Sequence, residues 1–345
     1  MVKQFAYQPT DAVKALELED YFVWDCSVIK AEGQYHMFSS RWKKELGFGC
    51  NWLFSSEIIH SVSDTPEGPY TFKNVVLPRR GRDYFDGMNT HNTCIKEYQG
   101  KYYLYYMGTT YDGPVPGVGD KVSEERFVEV WNRKRIGLAV SDDINGEFVR
   151  RDETILESRK DGHWDATATT NPSVAILPDG KTYMIYKSRR DENHPLEIGI
   201  TMAETPEGEY VRLSDDPILK TDDPSSFIED PYLWYDAEKK RFCLLAKDDS
   251  RNGVVGITGE RGAGFYAESD DGVHYEIADP PKAYSRLIKW ADGHMSDQAN
   301  LERVSLLFDE NGKPTHMFFA TGDAETPYGF DRTYIVAMRL EERKD

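Results

Sequence analysis

The chain has 345 residues, with 42 Lys and Arg against 60 Asp and Glu and a formal charge of −18 at pH 7, which argues against nucleic acid or an anionic membrane surface as its main partner. Hydrophobic residues make up 39% and aromatics 13%, too aromatic for a disordered chain, and no run approaches the roughly 18 apolar residues of a spanning helix. The four cysteines, Cys26, Cys50, Cys94 and Cys243, form no Cys-x-x-Cys pair, so they read as thiols rather than as a zinc site or a disulfide framework.

The N-terminal residues carry no apolar stretch behind their lysine, and the expected location is cytoplasmic, or that of a mature exported form whose leader has been removed. The first predicted element is a short helix over 11–20. Beyond it the chain repeats. Five segments, beginning at Asp25, Asn92, Asn171, Asp230 and Arg303, each place a polar residue before a short apolar run, a turn and an aromatic-rich strand; the spacings are 67, 79, 59 and 73 residues. After four of them comes a second hairpin, in the runs from Ile59, Ile136, Ile198 and Gly264, with turn chemistry such as Pro66-Glu67-Gly68 and Pro206-Glu207-Gly208. The fifth unit is cut to the run at Tyr334.

About four strands recurring at this length describe a propeller blade. The prediction is an all-β fold, a five-bladed β-propeller of four antiparallel strands per blade occupying 1–345, with an N-terminal strand completing the fifth blade. The innermost strands of a propeller line its axis, so the five opening residues are expected to face one cavity. Their apolar followers stay alike while Asp25, Asn92, Asn171, Asp230 and Arg303 differ in charge, the pattern of a site built on a scaffold. Trp24, His91, Glu229 and Glu302 stand next to these positions, and His294 just before the fifth. Two loops match each other: Phe85-Asp86 and Trp164-Asp165 both have the aromatic seven residues before an Asn, which makes Asp165 a further candidate. Aromatic faces beside carboxylates and amides suit a sugar ring. Arg41, Lys187, Arg189, Lys247 and Arg303 could bind an anionic group on that sugar, but neutralising the site carboxylates is the favoured reading. The converging carboxylates leave room for a bound divalent cation or an ordered water; no metal ligand set is assigned, because the histidines lack zinc spacing, and no cofactor is required.

The repeats, the Trp24-Asp25 opening and the Ser63-Asp64-x-Pro66-x-Gly68-Pro69-Tyr70 hairpin resemble the five-bladed glycoside hydrolases of families 43 and 117, over roughly residues 20 to 340. The His91-Asn92 and Glu229-Asp230-Pro231 openings and the late His294 look closer to family 117. The resemblance implies a hydrolase removing a terminal sugar from an oligosaccharide, exo-acting and inverting, with Asp25 similar to the general base. A family 43 site would have Asp where this chain has Asn171 and would take its acid from blade four, where Glu229 stands; a family 117 site would use a blade-four Asp and a late His, matched by Asp230 and His294. Both mappings remain open in the sequence. A non-catalytic carbohydrate-binding propeller is opposed by the blade-to-blade divergence, and a glycoside phosphorylase would need a cationic phosphate cradle, for which Arg303 and Lys247 are available. The 111–131 insertion is long for a propeller loop, and is expected to lie over the site or against a second subunit of a homo-oligomer.

Overall fold

A computed structural model describes residues 1–160, 162–221, 225–251, 253–324 and 326–344. Twenty strands form five four-stranded antiparallel sheets arranged as blades. The first blade holds β2 (Tyr21–Ala31), β3 (Gln34–Lys43), β4 (Glu57–Ser63) and β5 (Thr71–Leu77). The second holds β6 (Asn89–Tyr98), β7 (Lys101–Thr109), β8 (Arg135–Ser141) and β9 (Val149–Arg150), and the third β10 (Thr170–Ile176), β11 (Thr182–Ser188), β12 (Glu197–Ala203) and β13 (Val211–Arg212). The fourth holds β14 (Ile228–Asp236), β15 (Arg241–Asp248), β16 (Gly264–Ser269) and β17 (Glu276–Tyr284). A small hairpin, β18 (Leu287–Lys289) and β19 (Met295–Asp297), precedes the fifth, made of β20 (Glu302–Phe308), β21 (Pro314–Asp323), β22 (Arg332–Glu342) and β1 (Tyr7–Glu17).

The fifth blade is completed by the N-terminal strand, as the truncated repeat requires. That pairing also corrects the helix expected over 11–20. Strand β1 pairs with β22, and its register shifts between Pro9 and Ala12 and between Lys14 and Leu16. These bulges bury Ala12, Ala15 and Leu16, a spacing of three and four that imitates a helical face in the sequence. The helices lie instead in connections between strands, as α1 (Asn51–Ser55) and α2 (Glu124–Asn132). Ser123 caps α2 by accepting the Arg126 backbone N–H.

The matched Phe85-Asp86 and Trp164-Asp165 loops turn out to be structural knots. Asp86 is buried among Arg80, Arg150 and the Tyr106 hydroxyl, and Asp165 among Arg159, Arg212 and the Tyr186 hydroxyl. The Arg159 and Arg212 guanidiniums and the Tyr186 hydroxyl occupy both oxygens of Asp165, so its expected role in substrate binding is corrected to one in blade packing. The repeated Ile-Gly pair follows from the same packing. A Cβ at Gly199 would lie 2.6 Å from the rings of Trp164 and Tyr186, and one at Gly137 would meet Tyr106 at 2.5 Å and Phe85 at 2.8 Å. Removing one partner of a buried, hydrogen-bonded ion cluster costs about 3–5 kcal/mol. Asp165→Asn is therefore expected to lower stability by about that amount in denaturant unfolding; a change within about 0.5 kcal/mol, typical of surface substitutions, would deny the knot its structural role.

Candidate active site at the propeller axis

The five repeat residues share one backbone conformation. Asp25, Asn92, Asn171, Asp230 and Arg303 all have positive φ, of 39°, 57°, 53°, 50° and 60°. Each sits at a register shift of its innermost strand, between Trp24 and Cys26, His91 and Cys94, Thr170 and Ser173, Glu229 and Tyr232, or Glu302 and Ser305. They therefore lie at β-bulges inside the strands, one or two residues after the start in β10, β14 and β20 and further in for β2 and β6. Asn and Asp tolerate this left-handed region better than other non-glycine residues, which accounts for four of the five; Arg303 is the strained exception.

The bulges join neighbouring blades. The Asn92 backbone N–H donates to Asp25 Oδ2 at 3.0 Å, and the Arg303 backbone N–H donates to Asp230 Oδ2 at 3.0 Å. Asn171 Nδ2 donates to Asp230 Oδ1 at 3.1 Å. Two residues beyond the bulge, Ser27 accepts from the Ile95 N–H and Ser173 from the Leu233 N–H, while the Tyr232 hydroxyl donates to the Leu306 carbonyl. Asp25 also accepts from Ser40 Oγ at 2.9 and 3.1 Å and lies 3.3 Å from His91 Nε2. Its carboxylate is 1% exposed, and among the described residues it has no Lys or Arg ion-pair partner.

Over this ring lies a cavity of about 280 Å³, bounded by Trp24, Trp42, Phe48, Trp52, Trp131 and Tyr328 on its aromatic sides. Its polar lining comes from His91, Asn92, Asn171, Glu229, Asp230, Glu302 and Arg303, with Lys134 and Lys187. One ammonium organises the carboxylates: Lys247 Nζ lies 2.7 Å from Glu302, 3.1 Å from Glu229 and 3.9 Å from Asp230. Glu229 has a second cation, Lys187, at 3.5 Å, and Asp230 has Arg303 at 3.4 Å. Glu302 has Lys247 alone, supplemented by the Asn300 amide at 2.7 Å.

That asymmetry decides protonation. Burial pushes all three carboxyls up, but the Lys187 and Lys247 ammoniums hold Glu229 below the usual range, and Lys247 with Arg303 hold Asp230 far below it. Glu302 is raised to about 7, because burial and the Asp230 and Glu229 charges outweigh Lys247. Burial also lowers His91 to about 4, so this imidazole is neutral; its Nδ1 meets Ser56 Oγ at 2.9 Å.

Of the residues singled out in the sequence, Trp24, His91, Asn92, Asn171, Glu229, Asp230, Glu302 and Arg303 line the cavity, and Asp25 lies directly behind His91 and Asn92. His294 does not join them. It sits exposed at the tip of the β18–β19 hairpin, stacked on Trp290 at 5.5 Å and bonded to Asp292, among residues that border a different depression. The placement corrects its pairing with Asp230: the stretch before the fifth repeat folds outward as a hairpin. Lys187, Lys247 and Arg303 neutralise site carboxylates and Arg41 pairs with Glu57, whereas Arg189 has no ion pair among the described residues. The sequence reading missed Trp131 and Lys134, although the insertion ending at 131 was marked; α2 packs Phe127 and Trp131 against Trp52 and Leu53, carrying both residues over the cavity. The Trp131-Asn-Arg-Lys134 run just before β8 was the available signal.

No protein-family model and no curated protein matches the chain in sequence. Solved structures match its fold. A family 117 glycoside hydrolase from the marine bacterium Zobellia galactanivorans is similar with a TM-score of 0.64 at 17% identity, over 96% of this chain and 90% of that one. The endo-arabinase of Bacteroides thetaiotaomicron gives 0.60 at 14% identity, over 98% and 99%. The catalytic domain of the Coprinopsis cinerea family 62 α-L-arabinofuranosidase gives 0.58 at 11% identity, over 98% of each. What the chain shares with them is the five-bladed propeller.

The Glu302 assignment carries a sign. A carboxyl whose folded pKa lies above its ordinary 4.5 binds a proton in the folded state that the unfolded chain has released, so it withdraws stability as pH rises from 4.5 to about 7. Infrared difference titration is expected to show a protonated-carboxyl band disappearing near pH 7, and Glu302→Gln should remove it. A band that survives the substitution would place the proton elsewhere.

Proposed function

We propose that the chain is a glycoside hydrolase that takes the terminal sugar of an oligosaccharide into the axial cavity and cleaves it with inversion. The observation that carries this reading is the division of labour among the buried carboxyls: one holds a proton near neutrality while others stay ionised, within an aromatic-walled cavity large enough for a sugar unit or two. Glycoside cleavage needs such a pair, one group to protonate the leaving oxygen and another to activate water.

The proton comes from Glu302, which burial and the neighbouring Asp230 and Glu229 charges keep protonated near neutrality. Asp25 is the base. It is the axial carboxylate without a Lys or Arg neighbour, so nothing in its ion pairing opposes taking a proton from water, while Ser40 and the Asn92 N–H fix its plane. His91, engaged at both nitrogens, positions it. Asp25 belongs to blade one and Glu229 and Glu302 to blades four and five; a separation of about 6.5–9.5 Å across the axis would leave room for the water of an inverting reaction. The cavity's small volume of about 280 Å³ suits the end of a sugar chain, and similarity in fold to a family 117 hydrolase and an α-L-arabinofuranosidase supports the reaction class.

A panel of plant and algal oligosaccharides, incubated with and without phosphate, tests the proposal. Monosaccharide is expected from chain ends without phosphate, in the anomer opposite to the substrate linkage by early-time NMR, with Asp25→Asn reducing turnover about 10²–10⁴-fold. Obligatory phosphate would make the enzyme a phosphorylase, and binding without release by the wild type would make it a carbohydrate-binding propeller.

A further inference from the structure

Two basic side chains flank the Trp131 ring, Lys134 at the cavity and Arg189 beside it, and among the described residues neither has a carboxylate partner. Lys134 is 2% exposed and lines the cavity, yet among the described residues its ammonium makes no ion pair and no side-chain hydrogen bond. Its one close neighbour is the Trp131 ring, whose centroid lies 3.5 Å from Nζ, with Trp52 at 5.6 Å. The Arg189 guanidinium lies 4.0 Å from the same Trp131 centroid, and its Nε is buried without a hydrogen-bond partner. The nearby carboxylate, Glu229, is already shared by Lys187 and Lys247. Three basic residues, Lys134, Lys187 and Arg303, line the cavity with three acidic ones, Glu229, Asp230 and Glu302, and among the described residues Lys134 is the lining cation with no carboxylate in contact.

Stability alone does not explain Lys134. An ammonium taken out of water needs an anion or several acceptors, and an aromatic face replaces only part of what is lost. A methionine would fill the same space without that cost. The indole beneath the ammonium offers an apolar platform, and together the two make a charged and a stacking element side by side, as a sugar ring bearing an acidic group would need.

We propose that Lys134 and Arg189, set on Trp131, form a subsite for a carboxylate carried by the sugar, so that the substrate is an acidic oligosaccharide with a terminal uronate. The inference rests on a sugar occupying the cavity and names the class of that sugar. The charged groups around Lys134 are Lys187, Arg189 and Arg303 against Glu229, and burial together with those cations holds its amine well below the usual lysine range. An incoming carboxylate reverses that balance, and binding should take up a proton.

Calorimetry on the full chain, with glucuronate and galacturonate beside glucose, galactose and inorganic phosphate, tests this without any turnover. Each uronate is expected to bind at least about tenfold more tightly than its neutral parent. Buffers of different ionisation enthalpy should report net proton uptake for the uronates and none for the neutral sugars. Lys134→Met should bring uronate and neutral sugar to within about threefold of each other while keeping the wild-type unfolding temperature, and Lys134→Arg should restore the preference. If Lys134→Met fails to fold, Arg189→Gln reads the same preference and is expected to lower it. Uronates binding no better than neutral sugars would overturn this proposal and leave the hydrolase reading intact; no sugar binding at all would overturn both. Phosphate binding more tightly than the uronates and lost in Lys134→Met would also overturn it, assigning the subsite to free phosphate.

Discussion

The bulge in each innermost strand is the constraint on which the molecule depends. A regular strand would alternate its side chains and send every second one away from the axis. Each of the five sheets inserts one left-handed residue, and these turn polar groups toward neighbouring blades: the Asn92 and Arg303 N–H groups to Asp25 and Asp230, and the Asn171 amide to Asp230. A non-glycine residue in this region costs roughly 1–2 kcal/mol, less for Asn and Asp, and a buried hydrogen bond to a carboxylate contributes about 1.5–3. The bonds from the Asn92 N–H to Asp25 and from the Arg303 N–H to Asp230 can therefore hold the strain in place. One device links neighbouring blades and points functional groups at a common cavity.

Charge follows from that geometry. Gathering Glu229, Asp230 and Glu302 in a space that excludes most water would be prohibitive without Lys187, Lys247 and Arg303, and even the balanced cluster is a poor means of stabilising a fold. Its effect is better seen in protonation. Because Glu229 and Asp230 each have a second cation and Glu302 does not, the remaining proton resides on Glu302 near neutrality. Asp25, three blades away along the chain from Asp230, is held by neutral donors and a neutral imidazole. Among the three clustered carboxyls, protonation thus follows from which of them receives the cations.

The blade repeat was legible because the copies solve related packing problems, with Ile-Gly pairs for close ring approach in blades two and three and Asp or Asn at four of the five positive-φ bulges. The axial residues were legible for the same reason. What misled was local resemblance without partners in view. Asp165 beside Trp164 reads like a sugar site, but Arg159 from the same connection and Arg212 from β13 bury it. His294 stands close to the fifth repeat along the chain, yet the hairpin turns it outward. The spacing of Ala12, Ala15 and Leu16 reads as a helix because bulges in β1 shift the alternation. Lys134 escaped notice because a lone lysine after an insertion has no pattern; only its position on Trp131 gives it meaning.

Floor and walls of the cavity come from different parts of the blades, and this separates what the fold fixes from what it leaves variable. The polar floor belongs to the innermost strands and is tied across blades by main-chain donors. Much of the wall comes from connections between the second and third strands: Phe48 and Trp52 between β3 and β4, Trp131 and Lys134 between β7 and β8, Leu196 between β11 and β12, and Tyr328 between β21 and β22. All five blades run these connections at the same end of the propeller, so they converge without any having to carry the ring. The longest of them, between β7 and β8, folds into α2 and brings an indole and a buried ammonium to the cavity. Changes in such segments alter what the cavity accepts while the hydrogen bonds that set the carboxylates remain. Lys134 marks the junction: its carbonyl accepts the Thr169 N–H from the next blade while its side chain faces the cavity, tying the wall of the longest connection to the rigid frame.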